Sequence, residues 1–197
     1  VTAPLIAASA GAIKASDTFE RALDTIANST GKTGAELQSL NSSFHSLFDT
    51  LPNSADDIAK ALTVISQVSG ATGPDLEALA TQALNLSRIT GQDLTQSVTN
   101  SQHAFQAWGV DVKAQTGLLD ELFRTSQQTG STVTDLSTSL ARFAPSLQQL
   151  GLGFSQSAAL IGQFQKAGLD ADQILTTMQT SLSKFAQHGI DGAHALQ

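Results

Sequence analysis

Apolar residues recur three and four positions apart along most of this chain, and polar residues fill the positions between them. This spacing gives a helix one apolar face that packs against neighbouring helices. No segment alternates apolar and polar residues for long enough to indicate a strand. We therefore predict an all-α fold, an array of about eight or nine short amphipathic helices joined by Gly-containing turns. The predicted helices lie near residues 4–29, 34–50, 55–69, 73–89, 91–108, 112–129, 132–150, 155–167 and 171–187.

The predicted helix starts carry a capping signature, in which a hydroxyl or carboxyl residue precedes Glu, Asp or Gln by three positions. The side-chain oxygen of the first residue can accept a backbone N–H that has no partner within the helix. The pairs are Asp17/Glu20, Thr33/Glu36, Ser54/Asp57, Thr72/Asp75, Thr90/Asp93, Thr132/Asp135 and Asp170/Gln173.

The seventh predicted helix has the clearest apolar stripe, which comprises Val133, Leu136, Leu140, Phe143, Leu147 and Leu150. Pro145 lies inside this helix and has no N–H to donate to the carbonyl of Ala141. We expect a kink or a break there.

A Thr-Gly pair occurs at positions 33–34, 72–73, 90–91 and 129–130. The first two pairs are 39 positions apart, and so are the last two. A duplicated helical hairpin would produce this spacing. The alternative is that Gly ends one helix and Thr opens the next, as any array of helices requires.

Charged residues make up only 14% of the chain, and the net charge is −7. The Lys and Arg residues are scattered rather than clustered, so we expect no direct binding of nucleic acid. The most apolar run, at residues 1–13, is too short to span a bilayer, and we predict no transmembrane segment. The chain does not begin with Met and is expected to be a piece of a longer protein.

Residues that could carry chemistry lack the arrangement that chemistry needs. Gly31 and Lys32 resemble the end of a phosphate-binding loop, but position 26 is Ile where that loop has Gly. The four His residues form no metal-binding pair, and there is no Cys. Acidic residues concentrate in predicted first turns, where the helix dipole favours them. We therefore predict no enzyme activity, no cofactor and no metal site.

Trp108 is the sole Trp and stands before Gly109 at a predicted helix end. One interpretation is that it anchors a partner, as interface aromatics often do. The other is that it packs inside and continues the stripe of Leu94, Val98 and Phe105.

Small, aromatic and Gly residues follow one another in a distinctive order from Ala104 to Phe185, as AFQAWGV at 104–110 and RFAPSLQQLGLGFSQSAALIGQFQKAGLDADQ at 142–173. This order and spacing resembles the conserved core of phage tail tape measure proteins. The residues that carry the resemblance are expected to serve packing or partner contact, and they are Phe105, Trp108, Gly109, Phe143, Pro145, Leu150, Gly151, Leu160 and Gly168.

The resemblance implies a structural virion protein that sets tail length during tail assembly and takes part in genome delivery. It implies a place in the lumen of the tail tube, after assembly in the cytoplasm of the bacterial host. The implied partners are the tail tube protein, tail assembly chaperones and further copies of the chain. The alternative is a non-viral helical binding module of a bacterial surface or secreted protein, which the polar, acidic composition suits equally.

We predict three segments: an N-terminal helix or linker at residues 1–30, a tape-measure-like helical core at 31–187 and a loose tail at 188–197. No heptad pattern persists as a long coiled coil requires. The core is therefore expected to be a compact module, with any regular ruler elsewhere in the full-length protein.

Overall fold

The computed structural model describes the backbone of residues 4–187 and the side chains of residues 17–184. These residues form nine helices and no strand, which confirms the all-α prediction. The helices are α1 (Pro4–Thr30), α2 (Gly34–Thr50), α3 (Ala55–Ser69), α4 (Gly73–Thr90), α5 (Leu94–Ala107), α6 (Val112–Thr129), α7 (Val133–Gln149), α8 (Phe154–Lys166) and α9 (Ala171–Gln187). The predicted tail at 188–197 lies outside the described residues.

Three of the predicted caps are confirmed. The side-chain oxygens of Ser54, Thr132 and Asp170 accept the backbone N–H of the residue three positions on, at 3.1, 3.0 and 3.0 Å. Thr33 and Thr72 precede helices but make no side-chain cap bond. Each is followed by a Gly with positive φ, which is not the backbone of an ordinary first helical residue.

Two predicted caps are wrong. Asp17 and Glu20 lie inside α1, which runs unbroken from Pro4 to Thr30. Thr90 is the last residue of α4, and its hydroxyl donates to the carbonyl of Leu86 at 2.7 Å. Gly91 then ends α4 in the left-handed conformation, so α5 begins at Leu94 rather than at 91.

The four Thr-Gly pairs are of two structural kinds. The pairs at 33–34 and 72–73 open α2 and α4, whereas those at 90–91 and 129–130 close α4 and α6. The spacing of 39 therefore relates two starts to each other and two ends to each other. The simpler interpretation accounts for these pairs, since Gly91 and Gly130 end helices and Thr33 and Thr72 precede helices.

Helix α7 continues through Pro145 from Val133 to Gln149, so the break we expected there is absent. The proline ring is exposed, and Ala141, whose carbonyl loses its N–H partner, is half-buried. The carbonyl of a half-buried residue can accept a hydrogen bond from water, so the helix does not need to end there.

The chain divides into two compact units, Val1–Thr95 and Gln96–Gln197. In unit 1, α3 packs against α1, α2 and α4, and α2 also packs against α4. In unit 2, α7 packs against α6, α8 and α9, and α6 also packs against α8. In both units, helices thus contact helices that are one or two positions away in the chain order. The domain boundaries predicted from the sequence stay predictions.

Hydroxyl–carboxylate hydrogen bonds join helices that are two apart in the sequence. Glu77 of α4 accepts from Ser43 and Ser46 of α2, both at 2.9 Å. Ser155 of α8 donates to Glu121 of α6 at 2.6 Å. Asp172 of α9 accepts from Ser139 of α7 at 2.7 Å and from Arg142 at 3.1 Å. Such bonds fix the register of each pair, because a slip by one residue would break them.

Gly162 sets the approach of α8 to α6. A Cβ atom at this position would lie 2.9 Å from the γ-methyl carbons of both Thr125 and Thr129. The Thr129 side chain is held in place by a 2.7 Å hydrogen bond to the carbonyl of Thr125. The two helices therefore fit together only where α8 has no side chain.

We predict that Gly162→Ala lowers the free energy of unfolding of unit 2 by about 1 kcal/mol, because the added methyl overpacks the contact by more than Ala gains in helix propensity. The measurement is urea denaturation followed by circular dichroism and by Trp108 fluorescence. Gly117→Ala on α6 is the matched control, since Gly117 is exposed and a Cβ there would meet nothing within 4 Å. That substitution should stabilise by about 0.5–1 kcal/mol. Equal stabilisation by both variants would contradict the packing argument.

Candidate functional site

Six of the nine residues that carry the family resemblance lie in or beside three similar turns of unit 2. We call these turns corner 1 (Phe105–Asp111), corner 2 (Leu147–Gly153) and corner 3 (Phe164–Asp170). In each, the N–H of an apolar residue donates to the carbonyl five positions earlier: Val110 to Phe105 at 2.8 Å, Leu152 to Leu147 at 3.1 Å and Leu169 to Phe164 at 2.9 Å. These bonds satisfy carbonyls that the end of a helix would leave without partners.

A glycine with positive φ makes each corner possible. Gly109, Gly151 and Gly168 have φ of 64°, 75° and 72°, and each N–H donates to the carbonyl three residues earlier. The left-handed conformation places Cβ too close to the following carbonyl in other residues, so only Gly adopts it freely. The three glycines of the resemblance are thus explained by backbone geometry.

Two aromatic side chains at the end of α5 and one at the start of α8 meet near corner 1, and we call them the aromatic cluster (Phe105, Trp108 and Phe154). The ring of Phe154 lies 5.5 Å from that of Phe105 and 5.9 Å from that of Trp108, the latter edge-on at 81°. Phe105 is fully buried, whereas Trp108 is half-buried. Edge-on aromatic pairs add to the gain from burial itself.

The indole of Trp108 also ties corner 1 to α7. Its Nε1–H donates to the carbonyl of Leu140 at 3.0 Å. Nearby, the side-chain amide of Gln148 in corner 2 donates to the carbonyl of Ala107 in corner 1 at 3.3 Å. The indole of Trp108 therefore packs within unit 2, while part of its surface stays accessible to a partner.

The three remaining residues of the resemblance lie on α7 and α8. Phe143 is fully buried, with the Arg142 guanidinium carbon 5.1 Å from its ring centroid. Pro145 is exposed and Leu160 is half-buried, as is Leu150 in corner 2. The structure brings the residues of corners 1 and 2 together, and it places Gly168 at the other end of α8 from Phe154.

Sequence reasoning missed Phe154 and a buried pair of glutamines. Phe154 is the first residue of α8, and an apolar residue directly after a turn glycine was the signal available. Gln102 of α5 donates to Gln115 of α6 at 2.8 Å, and both side chains are buried. Nothing in a local pattern distinguishes these glutamines from the many exposed ones.

Grooves on the described surface are shallow and open. A groove of about 620 Å³ follows Asp17, Glu20, Arg21 and Asp24 of α1. A groove of about 250 Å³ lies between the first turns of α2 and α4, and one of about 370 Å³ follows Leu169, Ile174 and Met178.

Among the described residues, no group of three or more His, Asp or Glu side chains is placed to hold a metal ion. No helix in residues 4–187 is both long enough and apolar enough to cross a membrane.

Comparisons with known proteins indicate the family in which the three corners and the aromatic cluster occur. Residues 46–197 match the family described as phage-related minor tail protein, a range that contains all three corners. The chain is also similar to a tape measure protein of Pneumococcus phage Dp-1, with 24% identity over 187 residues. The match covers 95% of this chain and 16% of that relative, so the chain spans less than a fifth of the relative's length. No solved structure matches the chain.

We predict that Trp108→Phe lowers the free energy of unfolding by about 1 kcal/mol, because the Leu140 carbonyl loses its indole partner while the ring contact with Phe154 is largely kept. Circular dichroism during urea denaturation measures the change. Ile89→Val is the control, since Ile89 is 59% exposed and should change stability by less than about 0.5 kcal/mol. A loss no larger than that of the control would show that the indole bond contributes little.

Proposed function

The chain belongs to the family of phage-related minor tail proteins, and we propose that it is a segment of a phage tail tape measure protein. Such a protein sets tail length during tail assembly and takes part in genome delivery. The observation that carries the proposal is the family match over residues 46–197, which includes every corner and the aromatic cluster. The similarity of 95% of the chain to a protein named tape measure protein supports it independently.

We propose that the protein occupies the lumen of the tail tube in the virion, after assembly in the host cytoplasm. The tail tube protein, tail assembly chaperones and further copies of the chain are the proposed partners. The surface supports contacts with protein rather than with DNA, since the net charge is −7 and only ten Lys and Arg residues are present. A non-viral surface or secreted module is not favoured, because the family match lies in phage tails.

The role we propose is structural rather than enzymatic, and in this segment it is that of a folded module. The helices of each unit fold back on one another, and the longest of those described has 27 residues. A rod-like ruler instead needs an uninterrupted helix, which gains about 1.5 Å per residue. Each corner ends a helix at a left-handed glycine, so the described helices do not form one uniform rod. We propose that the regular ruler lies elsewhere in the full-length protein.

An in-frame deletion of residues 96–187 in the phage that encodes the full-length protein tests both parts of this proposal. We expect fewer intact tails or fewer infectious particles, with the remaining tails of unchanged length in negative-stain images. If the segment acts as a helical ruler instead, tails should shorten by about 1.5 Å for each residue removed. Expression of the intact protein from a plasmid is the control and should restore infectivity. Normal tails with normal infectivity would contradict a tail function.

A further inference from the structure

Helix α5 buries fewer large apolar side chains than α7, the helix at the centre of unit 2. On α5 these side chains are Leu94, Val98 and Phe105. On α7 they are Val133, Leu136, Leu140, Phe143 and Leu147. Burial of apolar surface is the main favourable contribution to packing, so α5 gains less from its position than α7 does.

A layer of four polar side chains joins the middle of α5 to both α6 and α7, and we call it the polar layer (Ser101, Gln102, Gln115 and Ser137). The side-chain amide of Gln102 donates to Gln115 of α6 at 2.8 Å. The hydroxyl oxygens of Ser101 and of Ser137 on α7 lie 3.3 Å apart. All four side chains are buried. Buried hydrogen bonds of this kind add little net stability, because the same groups bond to water when they are exposed.

The polar layer is also incompletely satisfied. The Oε1 atom of Gln102 is buried and has no hydrogen-bond partner among the described residues. The distance between Ser101 and Ser137 is long for two hydroxyls, for which about 2.7–2.8 Å is usual. A buried acceptor without a partner costs free energy, and opening of α5 would allow water to reach it.

The local sequence gives α5 little support of its own. Residues 97–101 are Ser, Val, Thr, Asn and Ser, which all have low helix propensity. The helix contains no Asp, Glu, Lys or Arg, so none of its own side chains forms an ion pair or complements the helix dipole with a full charge.

The last turn of α5 is held more firmly than its middle. Phe105 is fully buried, with its ring 5.5 Å from that of Phe154. Directly after the helix, the indole of Trp108 donates to the carbonyl of Leu140 at 3.0 Å. Helices α6 to α9 pack on one another through contacts that do not include α5, such as the close approach of α8 to α6 at Gly162. The middle of α5 can therefore open while the rest of unit 2 stays folded.

We propose that residues 96–104 form a releasable strap, which unfolds locally while corner 1 and helices α6 to α9 keep their structure. The polar layer is the latch that holds the strap in place. The strap begins directly after Thr95, the last residue of unit 1. Conversion of its nine residues from helix to extended chain would lengthen this connection by about 17 Å. The proposal does not depend on the function in a phage tail, and its test uses the isolated chain.

Amide hydrogen exchange measured by NMR, at a series of urea concentrations below the unfolding transition, tests whether the strap opens by itself. We expect amides of residues 98–104 to exchange at least about tenfold faster than those of residues 136–147 in α7. Their exchange should also depend less on urea, because a local opening exposes less surface than unfolding of the unit. Equal rates with equal urea dependence in α5 and α7 would overturn the proposal, since unit 2 would then open only as a whole.

Paired substitutions test whether the polar layer is the latch. Gln102→Leu with Gln115→Leu replaces both partners by apolar side chains and removes the unpartnered acceptor, so exchange in the strap should slow by about tenfold. The matched control is His103→Leu with Gln127→Leu, at exposed positions of the same two helices. It should change exchange in the strap by less than about twofold. Equal slowing in both double variants would overturn the assignment of the latch, because helix propensity alone would then explain the effect.

The single variant Gln115→Leu provides a change of opposite sign at the same place. It leaves the amide of Gln102 buried without its partner, so exchange in the strap should become faster by about tenfold. Exchange in residues 154–166 of α8 should stay within about twofold of the wild-type rate, because α8 contributes no residue to the polar layer. Slower exchange in this single variant would show that added apolar area, rather than the hydrogen-bonded pair, controls the opening, and this would contradict the proposal.

Discussion

The left-handed glycine at the end of a helix is the constraint on which unit 2 depends. It reverses the direction of the chain within a few residues and lets two backbone N–H groups satisfy carbonyls that would otherwise lack partners. Because Gly109, Gly151 and Gly168 all adopt this conformation, α5, α7 and α8 end where the next helix can return along them. The aromatic cluster is a consequence of this geometry, since corner 1 and the start of α8 bring Trp108 and Phe154 into edge-on contact.

Packing between helices that are two apart supplies the specificity that corners alone do not provide. Apolar burial is not directional, so a stripe of Leu and Ala residues would tolerate sliding. Hydroxyl–carboxylate bonds such as Ser155 to Glu121 are directional and give each pair one register. Gly162 also limits α8 and α6 to one register, because α8 can approach Thr125 and Thr129 of α6 closely only at that position.

Most of the fold follows from local patterns in the sequence, whereas the site depends on distant contacts. Apolar spacing and caps such as Ser54 and Thr132 locate the helices, because these signals act within a few residues. The start of α5 was misplaced because Thr90 looks like a helix cap, yet its hydroxyl bonds backward to Leu86. The continuity of α7 at Pro145 depends on solvent access to one carbonyl. The contacts of Phe154 join the start of α8 to the end of α5, which no local pattern encodes.

The packing of neighbouring helices gives each unit a buried core of its own. Within each unit, a helix contacts helices one or two away in the sequence, so stability accumulates from neighbouring contacts rather than from one global core. A protein built in this way can gain or lose a unit without changing the packing inside the others. The chain covers 16% of the tape measure relative and contains two compact units with their own buried cores. Each unit therefore has within itself the buried contacts that join its helices.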